Sequence, residues 1–289
     1  MEAAREIQLS AGTLRYRDTG GSGPTLVFVH GLLANGMLWA KVVPLLEAQA
    51  RCVVPDWPLG CHTTPMKPDA DLSPRGVARM IAEFLERLEL DDVTIVANDT
   101  GGAISQILVT EHPERVARLV LTPSDCFEHF FPPAFRPLQW LARVPGGLSV
   151  ALQPLRLRPL RRLPIAFGWI AKHGIPDEVT DAALRPYFSD RAIRRDTAKF
   201  VRGVDKRDTL AAAERLPGFD RPTLLAWASE DKFFPPKLAH RLLERLPRGR
   251  LELVDDSYTF VPLDQPERLA KLIRGFVLDD SQAPAGARE

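Results

Sequence analysis

Cysteine is scarce. The chain of 289 residues has three, Cys52, Cys61 and Cys126. An odd, scattered set excludes a disulfide framework, and without a Cys-x-x-Cys pair it offers no zinc site, so no metal is expected. Charge of one sign is not in excess either. Lys and Arg total 38 against 37 Asp and Glu, a net charge of +1. That balance leaves no overall electrostatic footprint for nucleic acid. No apolar run approaches the roughly 20 residues of a membrane helix, which speaks against stable membrane insertion. The opening Met1-Glu-Ala-Ala-Arg-Glu6 lacks the basic and apolar regions of a signal peptide, so a cytoplasmic protein is expected. No phosphate loop or Gly-x-Gly-x-x-Gly fingerprint is present, and no cofactor is expected. Proline, in contrast, is plentiful at 26 residues, without a period, and marks turns and stops. Hydrophobic residues at 45% and charged residues at 26% suit a globular core.

Short apolar runs alternate with helical spacing. Leu26–Val29, Cys52–Val54, Val93–Ala97, Leu119–Thr122, Thr223–Ala228 and Leu251–Val254 read as strands buried on both faces, because they are mostly apolar rather than alternating. Between them, Val77, Met80, Ile81, Phe84, Leu85 and Leu88 keep helical spacing behind a Ser73-Pro74 start. Ala103, Ile104, Ile107 and Leu108 suggest one face of another helix. A last helix opens at Asp264-Gln-Pro266 and buries Leu269, Ile273 and Phe276. Alternating strands and helices predict an α/β fold with a mostly parallel sheet. Ile7–Tyr16 reads as an edge hairpin turned at Ala11-Gly12. From about 130 to 217 no strand is convincing, and this Pro-, Arg- and aromatic-rich stretch reads as a helical insertion. The division is therefore a core of 1–129 and 218–289 with an inserted unit of 130–217. Asp279–Glu289 lacks apolar periodicity and reads as a tail.

The strongest local signal is Val96-Ala97-Asn98-Asp99-Thr100-Gly101-Gly102, where a strand meets a Gly-rich turn and a helix starts at once. It is a variant of the nucleophile elbow G-x-S-x-G. Such a turn lifts its central side chain above the sheet and aims helix N–H groups at it. Here that side chain is a carboxylate. A plain helix cap is the competing role for Asp99. In Val29-His30-Gly31-Leu32, the glycine leaves the N–H of Leu32 open, and with that of Thr100 it could form an oxyanion hole. His30 itself reads as structural.

These pieces resemble the α/β-hydrolase superfamily over nearly the whole chain: His30-Gly31, Pro55-Asp56, Asn98-Asp-Thr-Gly-Gly102, Ala226–Phe234 and Asp256–Pro266. The resemblance implies the α/β-hydrolase fold, with 130–217 as its helical cap. An elbow aspartate is similar to the haloalkane dehalogenase and epoxide hydrolase branch. There the carboxylate attacks an sp³ carbon, and a His-activated water hydrolyses the resulting ester. The resemblance makes Asp99 the nucleophile, and Asp231, or alternatively Asp125, the acid that orients the histidine.

The departure is at the histidine. Against a family pattern G-H-F-x-x-x-D-x-P-E, this chain reads Ser257-Tyr258-Thr259-Phe260-Val-Pro-Leu-Asp264-Gln-Pro-Glu267, with Thr259 at the histidine position. A threonine hydroxyl does not ionise near neutral pH and is no base. His62 is the best displaced base, against an ordinary hydrogen-bonded role; His129 and His173 are the others. Thr100 stands where dehalogenases place a halide-holding Trp. Trp39, Phe130 and Tyr187 are candidate substrate contacts. Leu155–Arg162 is a local basic cluster that reads foremost as a solvated cap face. The expected function is a cofactor-free enzyme acting on a small, largely apolar molecule, with Asp99 as nucleophile or general base. A lyase, isomerase or cyclase that uses Asp99 for proton transfer, or a ligand-binding protein without turnover, are the alternatives.

Overall fold

The apolar runs become the strands of a single sheet in the computed structural model, which describes residues 4–278. The tail expected at Asp279–Glu289, and Met1–Ala3 of the N-terminal reading, lie outside the described residues. In chain order the strands are β1 (Arg5–Leu9), β2 (Gly12–Asp18), β3 (Thr25–Val29), β4 (Arg51–Pro55), β5 (Val93–Asp99), β6 (Val116–Ser124), β7 (Thr223–Ala228) and β8 (Gly249–Val254). Their spatial order is β1-β2-β4-β3-β5-β6-β7-β8. β1, β2 and β4 pair antiparallel at one edge, and all other pairs are parallel. The edge hairpin forms as expected, but one residue earlier. Leu9 pairs with Gly12, so Ser10-Ala11 make the turn and Gly12, at φ +142°, opens β2.

The helices are α1 (Pro74–Arg87), α2 (Thr100–Glu111), α3 (Arg136–Leu141), α4 (Gly147–Ala151), α5 (Arg158–Arg161), α6 (Asp177–Ser189), α7 (Arg191–Gly203), α8 (Lys206–Arg215), α9 (Pro236–Leu243), α10 (Val261–Asp264) and α11 (Pro266–Val277). Ser73 caps α1 by accepting from the Gly76 N–H, and Pro74 stands in its first turn. The face of α1 that carries Val77, Met80, Ile81, Phe84 and Leu85 is buried. Each such side chain contributes about 1.5–3 kcal/mol when removed from water. α2 differs from the expectation of a single apolar face. It is buried on all sides from Thr100 to Val109, because it sits between the sheet, α1 and α8. One apolar core, containing residues of α1, α2 and α8, lies on one side of the sheet; another, containing residues of α11, lies on the other.

Between β6 and β7 the regular elements are helical, α3 to α8, among the described residues. The fold is the α/β-hydrolase arrangement with a helical cap insertion. Strand order reverses around β3: the chain steps to β4 on one side and to β5 on the other. The C-terminal ends of β3 and β5 are therefore neighbours, with Val29 in register with Ala97. Ligands bind at such a switch point in open α/β sheets.

Candidate active site

β5 delivers Asp99 at φ 55°, ψ −132°, a conformation that costs a non-glycine residue on the order of 1–3 kcal/mol. The neighbouring glycines make the turn possible. A Cβ on Gly101 would lie 2.6 Å from the His30 carbonyl oxygen, and one on Gly102 would overlap the Ser124 side chain. α2 can therefore start hard against the ends of β3 and β6 only with glycine at these positions. A Cβ on Gly31 would collide with the Asp99 carboxylate, coming 2.7 Å from its Cγ.

The backbone N–H groups of Thr100 and Leu32 and the Thr100 hydroxyl lie near enough to the Asp99 carboxylate to favour its charge. These two amides are the donors expected of an oxyanion hole, and both lie beside the elbow carboxylate. Asp99 is half-buried and lines a cavity of about 280 Å³. Burial pushes its pKa up to about 6 against those donors.

Two more acids stand behind it. Asp231 Oδ1 accepts from the N–H of Phe233 at 2.7 Å and Phe234 at 2.6 Å, while Oδ2 has no partner. Burial raises Asp231 to about 7; the two amides oppose this, and the charge of Asp99 adds to it. The Thr259 hydroxyl lies near enough to favour the Asp231 charge but makes no hydrogen bond. Asp125 is fully buried with both oxygens unpartnered. Burial first, and the Asp99 charge second, hold it well above the usual carboxylate range.

Thr259 lines the cavity with Asp99, Thr100 and Leu32. Asn98, which the sequence reading passed over, fixes it there. Asn98 Nδ2 donates to the Thr259 carbonyl and to Thr122 Oγ1, both at 2.7 Å, tying the elbow to the late loop. Its place just before the elbow residue was the available signal. Asp264 holds the same loop to the cap by accepting the N–H groups of Lys172, His173 and Tyr258.

The histidines are elsewhere. None of the six in the chain lines the cavity. His62 is buried, with Nε2 3.4 Å from Asp196 Oδ2 on α7 and Nδ1 accepting from the Gly60 N–H at 3.4 Å. It fastens core to cap, so the displaced-base expectation has no geometric support. His173 faces Asp256 at 3.0 Å on the exterior, and His129 sits partly buried with Nδ1 unpartnered. His30 is structural, as expected. Its Nδ1 donates to the Gly31 carbonyl, and its Nε2 accepts from the Trp57 N–H at 2.9 Å. Burial lowers it to about 4, which keeps it neutral.

The expected substrate contacts need correction. Trp39 is fully buried against Phe28, on the α11 side of the sheet. Tyr187 is fully buried against Phe188, and Phe130 against Phe131. None of the three lines the cavity. Phe131, Phe135, Leu138, Phe167, Phe233 and Phe234 do. Packing takes Trp39, Phe130 and Tyr187 into the core instead. Among the described residues no group of three or more His, Cys, Asp or Glu is arranged to hold a metal ion.

A family model described as the alpha/beta hydrolase fold matches residues 24–266. The chain belongs to the α/β-hydrolase family. It is an α/β-hydrolase-fold enzyme whose cavity suits a small apolar molecule. Haloalkane dehalogenase 2 of Mycobacterium tuberculosis (strain ATCC 25618 / H37Rv) is 28% identical over 275 residues, covering 93% of each chain. Among solved structures, an alpha/beta hydrolase fold protein from Burkholderia ambifaria superposes with a TM-score of 0.79 at 20% identity, covering 94% of this chain and 97% of the other. A thermophilic esterase from Thermogutta terrifontis gives 0.70 at 21% identity, covering 94% and 97%. These two likenesses are likenesses of fold. No helix among the described residues is long and apolar enough to cross a membrane.

Proposed function

We propose that this enzyme alkylates itself at Asp99: the carboxylate displaces a leaving group from the sp³ carbon of a small apolar substrate, and an alkyl ester forms. One observation carries this reading. A carboxylate on a strained elbow, held by two backbone amides, faces an apolar cavity. One Asp99 oxygen forms a bond to carbon while the carbon–leaving-group bond breaks and the electron pair departs with the leaving group. Leu32 and Thr100 hold the carboxylate in line. Residues 130–217 act as the cap that closes the cavity. The dehalogenase relative supports an aspartate-based displacement, but Thr100 in place of a halide-holding Trp favours substrates whose leaving group needs little help.

The second step is slow in this reading. Thr259 supplies no base, no histidine faces the cavity, and no cofactor is called for. The triad is thus non-standard, Asp99–Thr259–Asp231, with Asp125 kept neutral behind Thr100. The test is intact mass after exposure to a primary alkyl iodide. One alkyl group should be added at Asp99, and none in Asp99→Asn. Thr259→His should shorten the adduct's life, since Asp231 Oδ2 is free to orient the ring. Failure of a panel of alkyl probes to label Asp99 would refute the displacement.

The crowding of three acids with no cation favours one second reading, in which Asp99, poised near 6, moves a proton in a lyase, isomerase or cyclase reaction. Turnover without solvent oxygen in the product, and without an Asp99 adduct, would select it.

A further inference from the structure

The cap carries a surface that the catalytic reading leaves unused. Between Glu128 and Asp177 the sequence has six arginines, one lysine and no acidic residue. The same stretch is unusually apolar on its outside. Trp140 and Val150 are each 72% exposed, Ile165 69% and Leu157 61%, with Trp169 also open. Exposed apolar residues scattered singly are ordinary in a folded chain; here they fall within about thirty residues, on successive elements of one insertion. The helices concerned touch in sequence, α3 on α4 and α5 on the turns at either side of it.

The arginines divide into two groups. Arg158 and Arg161 pair with Asp181, and Arg162 pairs with Asp177, so the basic cluster seen in the sequence is mostly answered from α6. Arg136, Arg143 and Arg156 face no carboxylate within ion-pair distance among the described residues; Arg136 and Arg156 meet neutral oxygens, and Arg156 also lies over the Phe188 ring at 4.4 Å. Arg136 and Trp140 lie one helical turn apart on α3 and share a face. Arginine interleaved with tryptophan and aliphatic side chains is the composition that seats in a lipid headgroup layer. The surface also adjoins the cavity. Leu163 and Ile165 line the cavity and are themselves exposed.

We propose that this outer face of the cap docks on an anionic lipid surface, so that apolar substrate passes from the bilayer into the cavity beside Leu163 and Ile165. Two arguments favour lipid over a second copy of the chain. Within this stretch the unanswered charges are all positive, and two identical copies of it repel. The apolar route into the cavity would be sealed by a partner chain but fed by a lipid phase. Docking of this kind is peripheral and requires no spanning helix. It is independent of how Asp99 reacts.

The test is co-sedimentation of the full chain with vesicles of pure phosphatidylcholine, and with vesicles that carry about 30% phosphatidylglycerol. Binding should favour the anionic vesicles and fall steeply at high salt. Arg143→Glu should weaken it by tenfold or more, at roughly fivefold for each arginine lost and a similar factor for each acid gained. The double variant Trp140→Ser/Ile165→Ser changes only exposed side chains and should abolish binding while leaving the thermal transition in place. No binding to anionic vesicles at low salt would overturn the proposal. So would a double variant that binds like the parent. A parent that sediments as a dimer, dissociates with the double variant and ignores both vesicle types would overturn it in favour of a second copy.

Discussion

Replacing Asp231 by asparagine should stabilise the protein at alkaline pH. The carboxyl is 8% exposed, and one oxygen is unpartnered. Its pKa rises from near 3.8 to about 7, chiefly because burial disfavours the charge. A group whose folded pKa is raised binds its proton more tightly in the native state, so native stability falls as pH climbs between the two values. Below about pH 4 the carboxyl is neutral in both states and costs nothing. Above about pH 7 the full cost is present, about 4 kcal/mol at about 1.4 kcal/mol per unit. The asparagine side chain would keep the Oδ1 acceptor for Phe233 and Phe234 and present an amide toward the unpartnered Thr259 hydroxyl. Unfolding entropy of roughly 2.1 cal/mol/K per residue turns 4 kcal/mol into about 7 °C for a chain of this length. Urea or thermal unfolding of both proteins from pH 4 to 8 measures the gap. It should open across that range and level off at the top. A gap independent of pH, or one that closes as pH rises, would refute the argument, because a fixed substitution effect cannot titrate.

Alkylation of Asp99 should require the charged carboxylate, so the labelling rate should climb as pH rises through about 6 and level above it; a rate that falls over that range would contradict the nucleophile. The acids coupled to Asp99 by charge are Asp125 and Asp231, and neither Asp125→Asn nor Asp231→Asn should reverse the direction. Gly31→Ala forces the Asp99 carboxylate aside, and a displacement near 1 Å should cost about 100-fold in labelling while the fold persists. Asn98→Ala removes the donor to the Thr259 carbonyl and to Thr122, and should lower stability by about 2 kcal/mol in denaturant unfolding.

Much of this architecture is legible in the chain. Strands buried on both faces announce themselves as mostly apolar runs, and β3 to β7 are such strands; β8, expected to be the same, is the sheet edge, where Glu252 is half-buried and Leu253 is exposed. The elbow is legible because a carboxylate between a β-branched run and two glycines has few other uses. The oxyanion donors Leu32 and Thr100 follow from the glycine before one and the elbow before the other. The cavity wall is not legible. Phe131, Leu138, Phe167 and Phe233 are far apart in sequence and meet only once the cap has folded onto the core. Trp39 and Tyr187 were plausible by residue type alone, but packing directs both into the core. His62 was plausible by its position after β4, yet Asp196, 134 residues away, captures its ring.

The electrostatics of the site explain how it can exist without a histidine. Asp125 and Asp231 are buried beside the half-buried Asp99, and among the described residues no cation compensates the three. The positive influences on Asp99 are the Leu32 and Thr100 amides, backed by the N-terminal dipole of α2. That is enough to hold one negative charge at neutral pH, and it is spent on Asp99, the lower of the pair at about 6 against about 7. Asp125 stays protonated, and Asp231 ionises after Asp99, because the second charge is placed beside one already there. A histidine in place of Thr259 would change this order. As imidazolium it would pull both Asp99 and Asp231 down, and as imidazole it would accept a proton from water. With threonine the site keeps one anion and has no strong base, which suffices to attack carbon and does not suffice to activate water. The same substitution that preserves a burial-compatible charge count therefore divides the two halves of the family's reaction.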